Sequence, residues 1–224
     1  MNVRLFLMVG CVAGMCAACT HKGAGSNTDN QIVVHTLILE ADSLMRSDSL
    51  FWNTPVDRAH PRVCIHDALI REKLDSAISL RPDKQIYLLK YTYLLRSWRL
   101  PEVLSLLREM DACMRDSMSA DLLSLKAALE DYQGDSVVAR KDFLRADSAY
   151  GVKVQEVAQD SLMYGFVRLE KALNFSLMKN DFRVLQEEIT FYERVNGKAV
   201  HGMEQWKNLT DKRAYYRQVF GQPE

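Results

Sequence analysis

The sequence predicts an all-α fold assembled from successive helix pairs. From Gln31 to Phe220 apolar residues recur with the 3.6-residue period of an amphipathic helix, and no stretch alternates as a half-buried strand would. Four times, in the second helix of a pair, apolar residues stand at i, i+4 and i+7: Ile70-Leu74-Ala77, Val103-Leu107-Met110, Ala139-Phe143-Ala146 and Leu185-Ile189-Tyr192. That spacing places three side chains on one helical stripe. A chain of 224 residues with 48% apolar and 9% aromatic content has the material for a real core. Its 29 basic residues balance 29 acidic ones, which gives no electrostatic case for nucleic acid or for an anionic membrane surface.

The first 30 residues stand apart from this pattern. Arg4 supplies a short positive region, and Leu5 to Ala18 is an uncharged apolar run, too short for a spanning helix of about 20 residues. It ends in Cys16-Ala17-Ala18-Cys19 and gives way to the polar Thr-His-Lys-Gly-Ala-Gly-Ser-Asn, the layout of a secretory signal. Small residues before a cysteine resemble a bacterial lipoprotein signal, with Cys16 where leucine is usual. The resemblance implies cleavage before Cys19 and lipidation of that residue. Residues 1–18 are then the signal peptide, 19–30 a flexible tether and 31–220 the helical domain. Only six residues separate the competing acceptor, Cys11, from Arg4, and a plain cleaved signal is the simpler alternative. Several acyl chains, as such lipoproteins carry, make a membrane anchor firm.

Within the domain, the first helix is expected from Gln31 to Ser49, with Val34, Leu37, Ala41, Leu44 and Met45 inward. Residues 51–63 carry two prolines and read as a loop insertion. A helix from Cys64 to Leu80, using Leu69, Leu74 and Ala77, stops at Pro82. Lys84 to Trp98 is apolar almost all round, so neighbours enclose it on several sides. Pro101 suits the first turn of the next helix, which buries Val103, Leu106, Leu107 and Met110. Residues 118–132 and 135–149 form a pair, as do Leu162 to Lys179 and Asp181 to Val195. Asn196-Gly197 ends the last of these, and Gly202 to Phe220 reads as a capping helix.

The stretch Gly134 to Tyr150 carries small, aromatic and small residues at Ala139, Phe143 and Ala146, and it resembles the second helix of a tetratricopeptide repeat. The triplets are 33, 36 and 46 residues apart, against a repeat of about 34 in that family, and the similarity covers residues 65–195. It implies a right-handed solenoid of helix-turn-helix repeats with a C-terminal capping helix. A non-repeat helical bundle shares much of the spacing. Chaperone-binding members of the family clamp a peptide's terminal carboxylate with basic groove residues. The corresponding surface here offers Lys90 and Arg96 but then Asp121, Asp131 and Glu170, so the clamp and its partner do not carry over. Tyr93, Arg96 and Tyr132 are the candidate groove residues, although tyrosines 87, 91 and 93 also suit a packed core.

Linear signals for catalysis are missing: the sequence has no nucleophile elbow, no phosphate-cradling glycine loop and no His-Glu-x-x-His. His60, Cys64 and His66 with Asp57 are the one cluster of metal-ligand types, and they read as polar loop residues rather than a metal site. No cofactor is implied. Asp-Ser followed by an apolar residue occurs seven times, placing Ser43, Ser49, Ser76, Ser117, Ser136, Ser148 and Ser161 in one context. From 17 Asp and 15 Ser, chance predicts about one such pair. The pattern resembles a sequon for protein O-glycosylation in some Gram-negative bacteria, which makes these serines candidate sugar-attachment sites. Helix capping by Asp is the alternative, and it suits Asp116, Asp135 and Asp160. In the folded part only Cys64 and Cys113 remain. The repeat register places them at opposite ends of equivalent helices, about 20 Å apart, where a disulfide requires about 7 Å. Two free thiols are expected, with Cys113 the more buried if it faces the next helix pair.

These readings converge on a lipid-anchored cell-envelope protein, at the outer membrane because Thr20 follows the lipidated cysteine. It would be a non-catalytic scaffold for a protein or peptide, since stacked helix pairs leave an extended concave surface. The rival reading, a small-ligand or glycan receptor, requires an enclosed apolar pocket with convergent polar groups.

Overall fold

The structure, a computed structural model, describes residues 28–57, 60–159, 162–196 and 206–221. The signal peptide 1–18, Cys19 and most of the tether lie outside the described residues, as do Ser161 and residues 197–205. Among the described residues there are ten α-helices and no strand. No helix among them is long and apolar enough to cross a membrane. The chain divides into two compact units, one ending at Ser117 and the other starting at Met118.

The N-terminal unit contains α1 (Thr28–Ser47), α2 (Ser49–Asn53), α3 (Asp67–Leu80), α4 (Lys84–Arg96) and α5 (Leu100–Cys113), closed by a 3-10 turn at Arg115–Ser117. The C-terminal unit contains α6 (Ala120–Tyr132), α7 (Ser136–Glu156), α8 (Leu162–Lys179), α9 (Arg183–Asn196) and α10 (Lys212–Phe220). Their starts follow local chemistry. Asp83 caps α4 by accepting the Gln85 N–H at 2.8 Å, Pro101 sits in the first turn of α5, and Ser119 caps α6. Asp135 and Asp211 do the same for α7 and α10, each satisfying a backbone N–H that has no partner inside its helix.

All twelve residues of the four triplets are buried, none more than 7% exposed. The spacing read from sequence therefore marks the core seam. Three helix-to-helix turns share a further register. Trp98, Gly134 and Asn180 are left-handed, with φ of 56°, 95° and 54°. Each precedes its triplet by five residues, so the turns are 36 and 46 residues apart like the triplets themselves. At each, the next residue's N–H closes on a carbonyl five positions back: Arg99 to Leu94 at 3.0 Å, Asp135 to Glu130 at 2.9 Å, and Asp181 to Ser176 at 3.1 Å. This is the Schellman closure of a helix C-terminus. Glycine adopts it without strain, asparagine tolerates it, and Trp98 does so at a steric cost.

Gly165 serves a different purpose. A Cβ added there would lie 2.5 Å from the Tyr192 ring, so the missing side chain is what admits α9 against α8. Tyr192 packs in turn on Phe166, with ring centroids 5.6 Å apart. The capping helix α10 is held at three points. Asn180 accepts the Lys212 N–H at 2.8 Å, Asp131 binds Lys212 Nζ and the Tyr216 hydroxyl, and Gln186 donates to the Leu209 carbonyl.

Several expected boundaries shift. Residues 28–30, assigned to the tether, already belong to α1, and the insertion begins with the short helix α2 because Asp48 caps it through the Phe51 N–H. Helix α3 starts at Asp67 rather than Cys64, and Leu69, expected inward, is 42% exposed. Helix α7 runs on to Glu156, seven residues past the expected end, because Tyr150 is buried and carries the apolar stripe one turn further. The capping helix is short, Lys212–Phe220, since Asp211 starts it. Both cysteines are free thiols as expected, but their burial is reversed: Cys64 is buried and Cys113 exposed. Cys64 lies under α1, its sulfur 4.0 Å from the Leu44 carbonyl oxygen, whereas Cys113 sits in the last turn of α5 beyond the buried stripe.

Candidate functional site

Of the three candidate groove residues, two are packing residues. Tyr93 is fully buried in the N-terminal unit, and its hydroxyl donates to Asp67 Oδ1 at 2.5 Å while Arg99 holds the other Asp67 oxygen at 2.7 Å. Burial, then the Asp67 carboxylate, push its hydroxyl pKa well up. Tyr132 lies against α10 in the C-terminal unit, its ring centroid 6.0 Å from Tyr216 and 5.3 Å from Phe220. Tyr93 itself is thereby withdrawn from any groove, since it and the next two residues of α4, Leu94 and Leu95, are all buried.

Arg96 has another task. At the end of α4 its guanidinium reaches the chain that leaves α2, with Nε donating to the Phe51 carbonyl at 2.8 Å and Nη2 to the carbonyls of Trp52 and Thr54. Those carbonyls are the unpaired acceptors at the C-terminus of α2, where a cation is favoured by the helix dipole. The same guanidinium lies 5.4 Å from the Phe51 ring centroid and 5.2 Å from that of Trp52. Arg96 therefore fixes the beginning of the insertion rather than lining a solenoid groove.

The C-terminal unit holds a cluster of ionisable groups drawn from three helices. Tyr150 and Lys153 stand one turn apart on α7, the Tyr150 hydroxyl donating to Asp121 Oδ1 of α6 at 2.9 Å. Lys153 Nζ bridges Asp121 Oδ2 at 3.2 Å and Glu170 Oε2 of α8 at 3.3 Å. In the sequence Asp121 and Glu170 fall on the surface corresponding to the groove, as acidic residues that break the carboxylate clamp. Tyr150 and Lys153 were missed because the helix was expected to end at Ala149; the i, i+3 spacing of these two residues was the available signal, and their carboxylate partners, 17 to 32 residues away, left none. Burial first, and then the neighbouring Asp121 charge, raise the Glu170 pKa to about 7. One ammonium between two carboxylates leaves the cluster one negative charge in excess when Glu170 is ionised.

This has a measurable consequence. An isolated glutamate titrates near 4.3, so the folded state holds its proton more tightly than the unfolded chain does. Stability from this site is full below the unfolded value and is lost as pH rises towards about 7. The melting temperature should accordingly fall between pH 5 and pH 8, and Glu170→Gln should flatten that slope. An unchanged slope in the variant would show that another group causes it.

The candidate glycosylation serines are mostly at the surface. Ser43, Ser49, Ser76, Ser136 and Ser148 are exposed and Ser117 is half-buried. Ser136 donates to Asp131 at 2.6 Å and Ser148 to the Leu144 carbonyl at 3.0 Å. Capping explains only part of the Asp-Ser excess. Asp48 and Asp135 cap helices, whereas Asp42 and Asp75 pair with Arg46 and Lys90 inside or beside helices. Asp116 lies in the 3-10 turn while Ser119 caps α6, which corrects the expectation that Asp116 caps that helix.

Among the described residues no group of three His, Cys, Asp or Glu side chains is arranged to hold a metal. His60 and Asp57 approach at 3.5 Å on the surface, and Cys64 turns inward. Comparison with protein-family models, curated proteins and solved structures gives no match.

Proposed function

We propose that the chain is an envelope-anchored helical scaffold that binds another protein or a peptide segment and carries out no reaction of its own. The observation that carries this reading is the uncharged apolar run ending in Ala17-Ala18-Cys19, followed by a polar tether and a fully helical domain. The run supplies a lipid attachment point. The tether gives the domain reach from the membrane surface. Three helix hairpins closed by the same turn, in register with buried triplets, support a repeat array resembling tetratricopeptide repeats. Such arrays present a broad surface suited to an extended chain or a helix. The outer membrane is the proposed location, and a lipid at Cys19 the link to it.

The reading is tested by cell fractionation. The natural protein is expected in the membrane fraction and Cys19→Ser in the soluble fraction of the envelope. A Cys19→Ser protein that stays membrane-bound, with Cys11→Ser released instead, would move the anchor. Sugar on the surface serines belongs to the same proposal, because a modified residue must be accessible. The intact mass of protein isolated from its own cells should exceed polypeptide plus lipid by whole hexose-type increments. Alanine at Ser43, Ser49 and Ser76, whose hydroxyls have no hydrogen-bond partner among the described residues, should remove part of that excess. A mass equal to polypeptide plus lipid would leave the seven Asp-Ser pairs without this explanation.

A further inference from the structure

Where the insertion meets α4, the N-terminal unit has a cleft of about 270 Å³ lined by Phe51, Pro55 and Val56 on its apolar part and by His60, Arg62 and Arg96 on its basic part. The charges are unevenly matched. Asp57 is the one carboxylate in the lining, and His60 faces it at 3.5 Å. Arg62 is exposed and forms no ion pair or hydrogen bond with a described residue, although its charge acts on the nearby Asp48 carboxylate. Arg96 forms no ion pair with a described carboxylate either.

The donors of Arg96 can be counted. A guanidinium has five N–H groups. Nε and Nη2 together spend three on the carbonyls of Phe51, Trp52 and Thr54. Nη1, with two more, has no hydrogen-bond partner among the described residues. Burial lowers the Arg96 pKa, the signature of a cation stripped of water without an acid beside it. A protein that needed only to fasten the insertion would be served by the three carbonyl bonds. The remaining donors of Arg96, with the exposed Arg62 in the lining of the same cleft, offer positive charge and N–H groups to an anion.

We propose that this cleft binds a small carboxylate-bearing molecule with a compact apolar body. The carboxylate would lie between Arg96 Nη1 and Arg62, matching the planar fork of a guanidinium. Its apolar part would lie against Phe51, Pro55 and Val56. A fully hydrated inorganic anion would gain nothing from those walls, and its desolvation there would be uncompensated. The volume restricts the ligand to roughly the size of a benzoate, at or below the usual lower bound for small-molecule pockets.

The test is calorimetric titration of the full-length protein with sodium benzoate, sodium acetate and inorganic phosphate at constant ionic strength. Benzoate is expected to bind saturably and more tightly than either of the others. Arg62 makes no bond that holds the fold, so Arg62→Gln should leave the helical spectrum and melting temperature unchanged while weakening benzoate about tenfold, the value of one charge-assisted contact. Arg96→Lys, which keeps the charge but loses the fork, should weaken it as well; if that variant proves unstable, Arg62→Gln alone decides. The proposal is overturned if benzoate shows no saturable binding, if Arg62→Gln binds it as tightly as the natural protein, or if phosphate binds as tightly as benzoate.

Discussion

Replacing Phe143 by alanine should destabilise the C-terminal unit by about 3–5 kcal/mol, the usual cost of emptying a buried aromatic site. Phe143 is 2% exposed and stands between Ala139 and Ala146, both buried. Small residues on either side bring the neighbouring helix close, so the space left by the ring cannot be filled from its own helix. The next residue, Leu144, is 51% exposed, and Leu144→Ala should cost no more than about 0.5 kcal/mol. Urea denaturation of the two variants measures the difference. Equal effects would mean that the stripe read from the sequence is not the core seam.

Asp131→Ala should have the next largest effect, about 2–4 kcal/mol, because it leaves a buried hydroxyl and a partly buried ammonium without their acceptor. The Asp131 side chain is 4% exposed and accepts from Lys212 Nζ, the Tyr216 hydroxyl at 2.8 Å and Ser136 Oγ. Two of those partners belong to α10. Amide hydrogen exchange in Lys212–Phe220 should therefore accelerate before exchange in α6 or α7 changes. Uniform acceleration through the unit would show that Asp131 does not act by holding α10. The carboxyl titrates below its usual value, lowered by Lys212, Ser136 and Tyr216 against the opposing effect of burial. Its contribution is therefore present above the unfolded aspartate value near 3.9 and lost as pH falls through the depressed folded value. That acid-side loss is opposite in sign to the Glu170 effect, and the two occupy separate pH windows.

What could be read from sequence was the periodic part of the fold. The triplets repeat one spacing, and burial of large side chains enforces that spacing, so Ile70, Val103, Ala139 and Leu185 all lead buried stripes. The helix turns were legible where Gly134 stood, but Trp98 and Asn180 adopt the same left-handed geometry with side chains that do not advertise it. Gly165 has its reason in a contact with Tyr192 from a later helix. Such cross-helix contacts leave no local trace. The site residues follow the same rule. Exposure of the Asp-Ser serines was a condition the sequence left open, because several of them fall inside helices. The role of Arg96 was not foreseeable, because its three acceptors are backbone carbonyls some 45 positions earlier, and carbonyls have no residue identity. Tyr93 was misplaced for a related reason. An aromatic residue on an all-apolar helix suits a groove as well as a core until the neighbours are known, and here Asp67 and Arg99 enclose its hydroxyl.

The proposed scaffold role is tested most directly by isolating the anchored protein from its own membranes under gentle detergent and determining the mass of the intact assembly. The expected result is a complex heavier than the lipidated chain by a second, defined polypeptide in fixed stoichiometry, still assembled after salt and benzoate washes. Recovery of the chain alone, or with only a small molecule bound, would contradict the scaffold reading.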